Sequence, residues 1–337
     1  MIISRTPFRV SFVGGGTDYP QWYREHGGAV LATAINHYCY INCRYLPPFF
    51  DHKYRIVYSQ LENVKHIHEI NHPAVRAVLD YLGFHEKGLE IHYDADLPAR
   101  SGLGSSSAFT VGLCHALKAL KGEYISTENL AKAAIHIEQN IIKEAVGSQD
   151  QTLAACGGFN RVDFLTNGEI KLTPVVANSA RIQSFQNHLM LFFTGFSRYA
   201  SEIAQSKINN FSKKEQVLHA MREMVDEALL ILQNNNTSID EFGKLLDEGW
   251  RYKRGLSEKV STDKIDQMYE TAKKAGAIGG KLLGAGGGGF MLLFVKPEQQ
   301  VKVRESLSSL LHIPFKFEPE GSRIVLYQPD EAQAVYG

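Results

Sequence analysis

Residues 98–109, PARSGLGSSSAF, set two glycines and four serines, three of them consecutive, just ahead of an apolar run. Glycines let a backbone come close to an anion, and the N–H groups that open a helix point at it with about half a positive charge. Ala99, Gly102, Leu103, Gly104, Ser105, Ser106 and Ser107 therefore form a candidate phosphate cradle, and the serine hydroxyls could also ligate a cation. A Gly/Ser turn that merely caps a helix is the plainer alternative. The segment has no lysine, which raises the question of what supplies the positive charge a polyphosphate needs.

Three other stretches hold reactive residue types. TPFRVSFVGGGTDYP carries Arg9 on a strand and a glycine triplet that delivers Asp18 at a turn. Glu138 lies on a helical face beside an apolar stripe, and Asp150 follows in GSQDQTLAACGGF. KLLGAGGGGFMLLF concentrates Gly284, Gly286, Gly287, Gly288 and Gly289, a density expected where another backbone or a ligand comes close. Taken singly, each charged residue reads equally well as a surface group or a structural ion-pair partner.

Three better-known motifs fail. Lys281 is followed by Leu282, so GGKLLG is not a Walker A loop. Gly102 and Gly104 are followed by Ser107, a partial match to a dinucleotide fingerprint in a region that lacks the repeated βαβ pattern. HEINH, residues 68–72, has the spacing of a zinc-protease helix, but Pro73 pushes His72 out of the helical region.

The elements that position these residues follow from periodicity. IISRTPFRVSFVG, YCYINCRYL, YRIVYS and LEIHYDADL read as strands, with a helix over HPAVRAVLDYLGF between them. A helix is predicted to start among the serines. A second runs from Ser126 as N-cap to Gly147 as stop, with Leu130, Ala134, Ile137, Ile141 and Ala145 on its apolar face. GGFNRVDFLTNGEIKLTPV predicts a hairpin turning at Asn167-Gly168, and LMLFFTG a strand that opens a second domain. Val217, Met221, Val225, Ala228 and Leu232 share one helix face. A later helix is expected to run through KIDQMYETAKKAGAIGGKLLGAG into the strand GFMLLFVK.

The composition, 44% hydrophobic and 21% charged over 337 residues, is that of a globular protein. Thirty-six basic residues balance thirty-six acidic ones, so no net field draws the chain to nucleic acid or to an anionic membrane. The N-terminus does not resemble a signal peptide, and no apolar run approaches the ~20 residues of a membrane span. Cys39, Cys43, Cys114 and Cys156 are too few and scattered for a disulfide scaffold and read as buried thiols in a reducing cytoplasm.

Together, TPFRVSFVGGGTDYP, LPARSGLGSSSAF and KLLGAGGGGFMLLF resemble, in order, the three motifs of the GHMP small-molecule kinases. The resemblance implies an α+β two-domain fold: an N-terminal ribosomal-protein-S5-like α/β domain over 1–185 and a C-terminal ferredoxin-like α+β domain over 186–337. It implies ATP and Mg²⁺ as cofactors, with ATP on the 99–107 cradle and on Gly286 and Gly287, and the metal on Ser106 and Glu138. Asp150 would accept or orient the proton of the attacking hydroxyl, and Arg9 would keep Asp150 ionised and steady the γ-phosphate. Gly15, Gly16, Thr17 and Asp18 would meet the substrate. In galactokinase-like members Glu and His stand where Gly15 and Gly16 are here, a departure that points away from galactose.

SFVGGGTDYPQWYREHGGAVL and FFTGFSRYASEIAQSK are instead similar to the branch of heptose 7-phosphate kinases and bacterial fucokinase domains. Similarity to the heptose 7-phosphate kinases of that branch implies a sugar phosphate substrate phosphorylated at the anomeric hydroxyl, on the way to GDP-heptose and surface polysaccharide. Arg24 and Arg198 are then the candidates for clamping the substrate's own phosphate. A free-sugar kinase and a non-catalytic sugar sensor on the same fold are the competing readings, and a homo-oligomer is left open.

Overall fold

The computed structural model describes residues 1–99, 101–195 and 200–329. The chain opens with β1 (Ile2–Val13), α1 (Pro20–His26), β2 (Gly28–Tyr45), β3 (Tyr54–Val57), β4 (Leu61–Val64), α2 (Pro73–Tyr81) and β5 (Leu89–Ala95). Next come α3 (Ser105–Leu120), α4 (Thr127–His136), α5 (Gln149–Cys156), β6 (Phe159–Phe164), β7 (Ile170–Pro174) and α6 (Ser179–Asn187). The remainder holds β8 (Leu189–Phe193), α7 (Ala200–Ile208), α8 (Glu215–Gln233), α9 (Asp240–Gly255), α10 (Asp263–Ala275), β9 (Ala277–Leu282), β10 (Phe290–Val295), α11 (Gln300–Ser306), β11 (Leu311–Ile313) and β12 (Arg323–Tyr327).

Two sheets result. The first runs β12-β1-β2-β5-β3-β4, with the β6–β7 hairpin added through β2; the second is β11-β8-β10-β9. At 18 residues β2 is long enough to pair β1 along its length, β6 near its start and β5 near its end. Strand β12 pairs with β1, so the first sheet takes strands from both ends of the chain. The first half of β1 alternates buried and half-buried residues, whereas from Thr6 onward it is buried on both faces. A register shift between Ser11 and Val13 falls in that buried half. Phe12 then turns into an aromatic cluster that joins the layers, 5.1 Å from Phe185 of α6 and 5.9 Å from Phe242 of α9 between ring centroids. Among the described residues no helix is long and apolar enough to cross a membrane.

Local signals hold in several places. Ser126 caps α4 by accepting from the Asn129 amide, Gly168 turns the β6–β7 hairpin at φ 92°, and Met221 and Met224 are buried in α8. His72 caps α2, leaving His68 and His72 off any common helix.

Two expected elements differ. The helix from Ser126 does not reach Gly147: α4 gives way to a π turn at Ile137–Ile141, where the Ile142 amide bonds the Ile137 carbonyl at 2.8 Å. The wider turn tucks Ile137 and Glu138 inward, and the chain then leaves the helix with Lys143 at φ 62°. The helix expected through residues 264–286 stops at Gly276, whose φ of 119° is left-handed. AIGGKL is instead β9, paired antiparallel to β10, so the glycine-dense loop joins two strands rather than a helix and a strand.

Candidate active site

Arg9 and Ser11 are two apart on β1 and therefore share a face, which looks into a cavity of about 240 Å³. Glycines 15 and 16, Asp18, the start of α3, residues 144–147, Gln149 and Asp150 line it from the first sheet's side, and α7, α9 and β9 close it from the other.

The cradle is built as its glycines require. Gly104 is the N-cap of the 16-residue α3 at φ 73°, a left-handed turn with no side chain to cap the first amides. Gly102 and Gly284 meet back to back: a Cβ on Gly284 would sit 2.5 Å from the Gly102 Cα. The glycine-dense loop thus serves close backbone approach. It places Gly284 and Ala285 on the cavity, whereas Gly287 donates to the Val260 carbonyl at 2.8 Å and Gly286 packs on the same residue. Gly286 and Gly287, expected on the nucleotide, are not on the cavity lining and pack against Val260. Ala99 is exposed outside the cavity, and Leu103 is buried with its carbonyl accepting from the Arg9 amide at 3.1 Å.

Arg9 closes on Asp150 through two parallel bonds, Nε to Oδ1 at 2.8 Å and a terminal nitrogen to Oδ2 at 2.7 Å, and its other nitrogen donates to the Gly102 carbonyl at 2.8 Å. The two side chains are only 5% and 16% exposed, which makes the bidentate pair a fixed one. Burial pushes the Asp150 carboxyl above the ordinary carboxylate range, while Arg9 pulls it back. A carboxylate tuned upward in this way is a better proton acceptor.

Asp18 is held for presentation. Its Oδ1 accepts from the Gly16 amide at 2.9 Å and its Oδ2 from Gln149 Nε2 at 2.8 Å. Gly147, expected to stop a helix, lies against this carboxylate; a Cβ there would meet Oδ2 at 1.9 Å. Thr17 faces inward instead, its hydroxyl within 2.8 Å of the Gly14 carbonyl and accepting from the Ala29 amide at 3.1 Å, so it locks the turn to β2 and does not line the cavity.

Glu138 sits behind the cradle. Its Oε2 accepts from Ser107 at 2.9 Å and from Gln151 at 2.5 Å, while Oε1 is buried without a hydrogen-bond partner. Burial pushes its carboxyl up to about 7, opposed by the Thr110 hydroxyl, Gln151 and Ser107. Ser106 lines the cavity and is exposed; Ser107, one residue on, is the serine that touches Glu138.

Arg24 is not in this cavity. Its guanidinium donates to the Asn167 carbonyl at 3.0 Å and packs on Gly168, steadying the hairpin turn. Arg198 lies outside the described residues.

Three lysines that the motifs did not single out also stand on this cavity. Lys207 of α7, Lys253 of α9 and Lys281 of β9 all line the cavity. Lys253 could have been noticed, since it follows Leu246 and Trp250 at helical spacing on a face that is otherwise apolar.

Comparison with known proteins agrees with this geometry. Residues 67–158 match the GHMP kinases N-terminal domain and residues 227–313 the GHMP kinases C-terminal domain, together more than half of the chain. A D-glycero-alpha-D-manno-heptose 7-phosphate kinase of Campylobacter jejuni is 29% identical over 91% of this chain and 93% of its own. A bifunctional fucokinase/GDP-fucose pyrophosphorylase of Arabidopsis thaliana is 27% identical over 88% of this chain, which spans 30% of that protein. The solved D-glycero-D-manno-heptose 1-phosphate kinase of Bacteroides thetaiotaomicron superposes with a TM-score of 0.78 at 22% identity, covering 97% of this chain and 99% of that one. The chain therefore belongs to the GHMP kinase family of ATP-dependent kinases.

Proposed function

We propose that the protein transfers the γ-phosphate of ATP to the anomeric C1 hydroxyl of D-glycero-D-manno-heptose 7-phosphate, giving the 1,7-bisphosphate and ADP. The observation that carries this reading is the Arg9–Asp150 pair, set in one cavity with the α3 cradle and with Asp18. Nucleotide phosphates lie on the first turn of α3, and sugar hydroxyls lie against Asp18. Asp150 takes the proton of the C1 hydroxyl as its oxygen bonds to phosphorus and the bond to ADP breaks. Arg9 keeps that carboxylate oriented and faces the charge on the transferring group. Positioning and electrostatics of this kind supply most of the catalysis in phosphoryl transfer.

Ser106 and Glu138 are the residues we assign to Mg²⁺. A hydroxyl and a carboxylate are the hard oxygen donors this ion prefers, and the unpartnered, buried Oε1 of Glu138 is an acceptor in need of a cation. Bound there, the ion would neutralise charge on the nucleotide phosphates.

The heptose kinase relative supports the acceptor, and the fucokinase relative favours a second reading, a kinase for a free sugar. ADP release with Mg-ATP, measured across heptose 7-phosphate, mannose 6-phosphate, fucose and galactose, separates the two. Turnover confined to the heptose phosphate, with phosphorus NMR placing the new ester at C1, is the expected result. Turnover of free sugars alone would replace it with the second reading.

A further inference from the structure

The acceptor side of the cavity holds more positive charge than the transfer step uses. Lys207, Lys253 and Lys281 are 4%, 5% and 6% exposed, and buried ammonium groups ordinarily have a carboxylate each. Here Asp150 is taken up by Arg9, and both Asp18 oxygens already accept hydrogen bonds. Glu144, half-buried, is the third carboxylate of the lining.

The ammonium protons are unequally committed. Lys253 donates to the Leu282 and Gly284 carbonyls, both at 2.7 Å, and so braces the loop that supports the cradle. Lys281 donates once, to the Phe12 carbonyl at 2.7 Å. Among the described residues Lys207 has no hydrogen-bond acceptor; it lies over the Tyr19 ring, 5.2 Å from its centroid. Two more groups on this wall are unsatisfied. Ser11 Oγ and Gln149 Oε1 are buried without partners, on side chains that line the cavity and are 6% and 7% exposed. Two ammonium groups with N–H groups to spare, beside orphaned hydroxyl and amide atoms, make a site built for a ligand that brings both charge and hydroxyls.

The placement of Lys207 follows from its stack on Tyr19, the residue after Asp18, and both Asp18 and Arg9 act electrostatically on all three lysines. The cradle instead abuts Asp150, where a Cβ on Gly104 would lie 3.4 Å from Oδ2.

We propose that Lys207 and Lys281 bind the phosphate monoester that the acceptor already carries, with Ser11 and Gln149 meeting its hydroxyls. The proposal rests on the kinase reading above and replaces Arg24 as the clamp for that phosphate. Two ammonium groups match a phosphate dianion in charge, and Lys207 and Lys281 keep N–H groups for its oxygens after their protein contacts. A free sugar would leave the same ammonium groups buried and unpaired, so the site rejects it by what it fails to satisfy.

Calorimetric titration tests this with the protein saturated by Mg²⁺ and a non-hydrolysable ATP analogue, so that the cradle is filled. The probes are heptose 7-phosphate and inorganic phosphate. Both are expected to bind wild type, and Lys207→Met and Lys281→Met each to weaken them roughly ten- to a hundredfold, with Lys207→Arg recovering most of the loss. Lys207→Met carries the result if Lys281→Met melts early, because it removes no hydrogen bond among the described residues. Loss falling on the nucleotide analogue instead, or unchanged binding of both probes in both variants, overturns the lysine site. Wild type that binds phosphate at these lysines yet turns over only free sugars overturns the heptose phosphate reading and leaves the site standing.

Discussion

The cradle on α3 and the pocket around Asp18 face each other across Arg9 and Asp150, but one is made of backbone and the other of buried side chains. The cradle depends on the absence of Cβ atoms at Gly102 and Gly284 and on first-turn amides that need no particular side chain. The Asp18 wall depends on charges gathered from β1, α7, α9 and β9 and held out of water. A backbone wall is sensitive to added volume, whereas a side-chain wall is sensitive to altered charge.

Asp150→Asn attacks the point the walls share, and its effect should be the largest. It keeps the shape beside Arg9 while removing the base, so kcat in the ADP-release assay should fall by about 10²–10⁴ with nucleotide affinity nearly unchanged. Near-normal turnover would remove Asp150 from its role. Alanine would be a poorer choice, since it also leaves a void beside Arg9 and so mixes loss of the base with loss of packing.

Two glycine substitutions then set the walls against each other. Gly102→Ala meets the Leu283 carbonyl at 2.8 Å from a φ of +87°, and Gly147→Ala meets Asp18 Oδ2 at 1.9 Å. With strain of about 1–3 kcal/mol, the first should weaken nucleotide binding and the second raise the acceptor KM, each roughly 5- to 150-fold. If both variants damaged the same substrate, the division of the cavity would be wrong.

Glu138→Gln should raise the Mg²⁺ concentration for half-maximal rate several-fold, with titration of the metal against initial rate as the measurement. An unmoved requirement would take Glu138 out of the metal site.

The smallest effect is a pH dependence confined to the side-chain wall. Burial lowers Lys281 to about 7, helped by Arg9 and Lys207 and opposed by Asp18, and lowers Lys207 to about 8, helped by Arg9 and opposed by Asp18 and Asp150. These groups are charged below about 7 and lose their protons as pH rises through 8, so an anion binds best on the acid side. The rise in melting temperature with sulfate, a dianion throughout this range, should therefore shrink between pH 6 and pH 9 relative to chloride at equal ionic strength. Lys207→Met should blunt the trend, and an equal rise at every pH would detach it from these lysines.

Much of this was legible from local chemistry. The β-branched and aromatic residues of β1, the Asn167-Gly168 turn and the serine-led start of α3 depend on neighbours in sequence, and the structure has all three. Strand β9 was not, because AIGGKLLGAG is a short apolar run whose period separates helix from strand poorly; only pairing with β10 decides it. That misreading hid Lys281. The π turn at Glu138 was hidden too, since the apolar spacing of Leu130, Ala134 and Ile137 continues through it. Arg24 looked like a substrate clamp because a cation in a sequence says nothing about which carbonyl it will find.

The anion cradle needs only consecutive residues, so its chemistry could be read from the order of glycines and serines along the chain. The pocket opposite is different in kind. Lys207, Lys253 and Lys281 look like ordinary lysines in the sequence, and they become a site only because α7, α9 and β9 fold over β1 and take their ammonium groups out of water. Desolvation is a property of everything packed around a charge, and that is set by the tertiary fold.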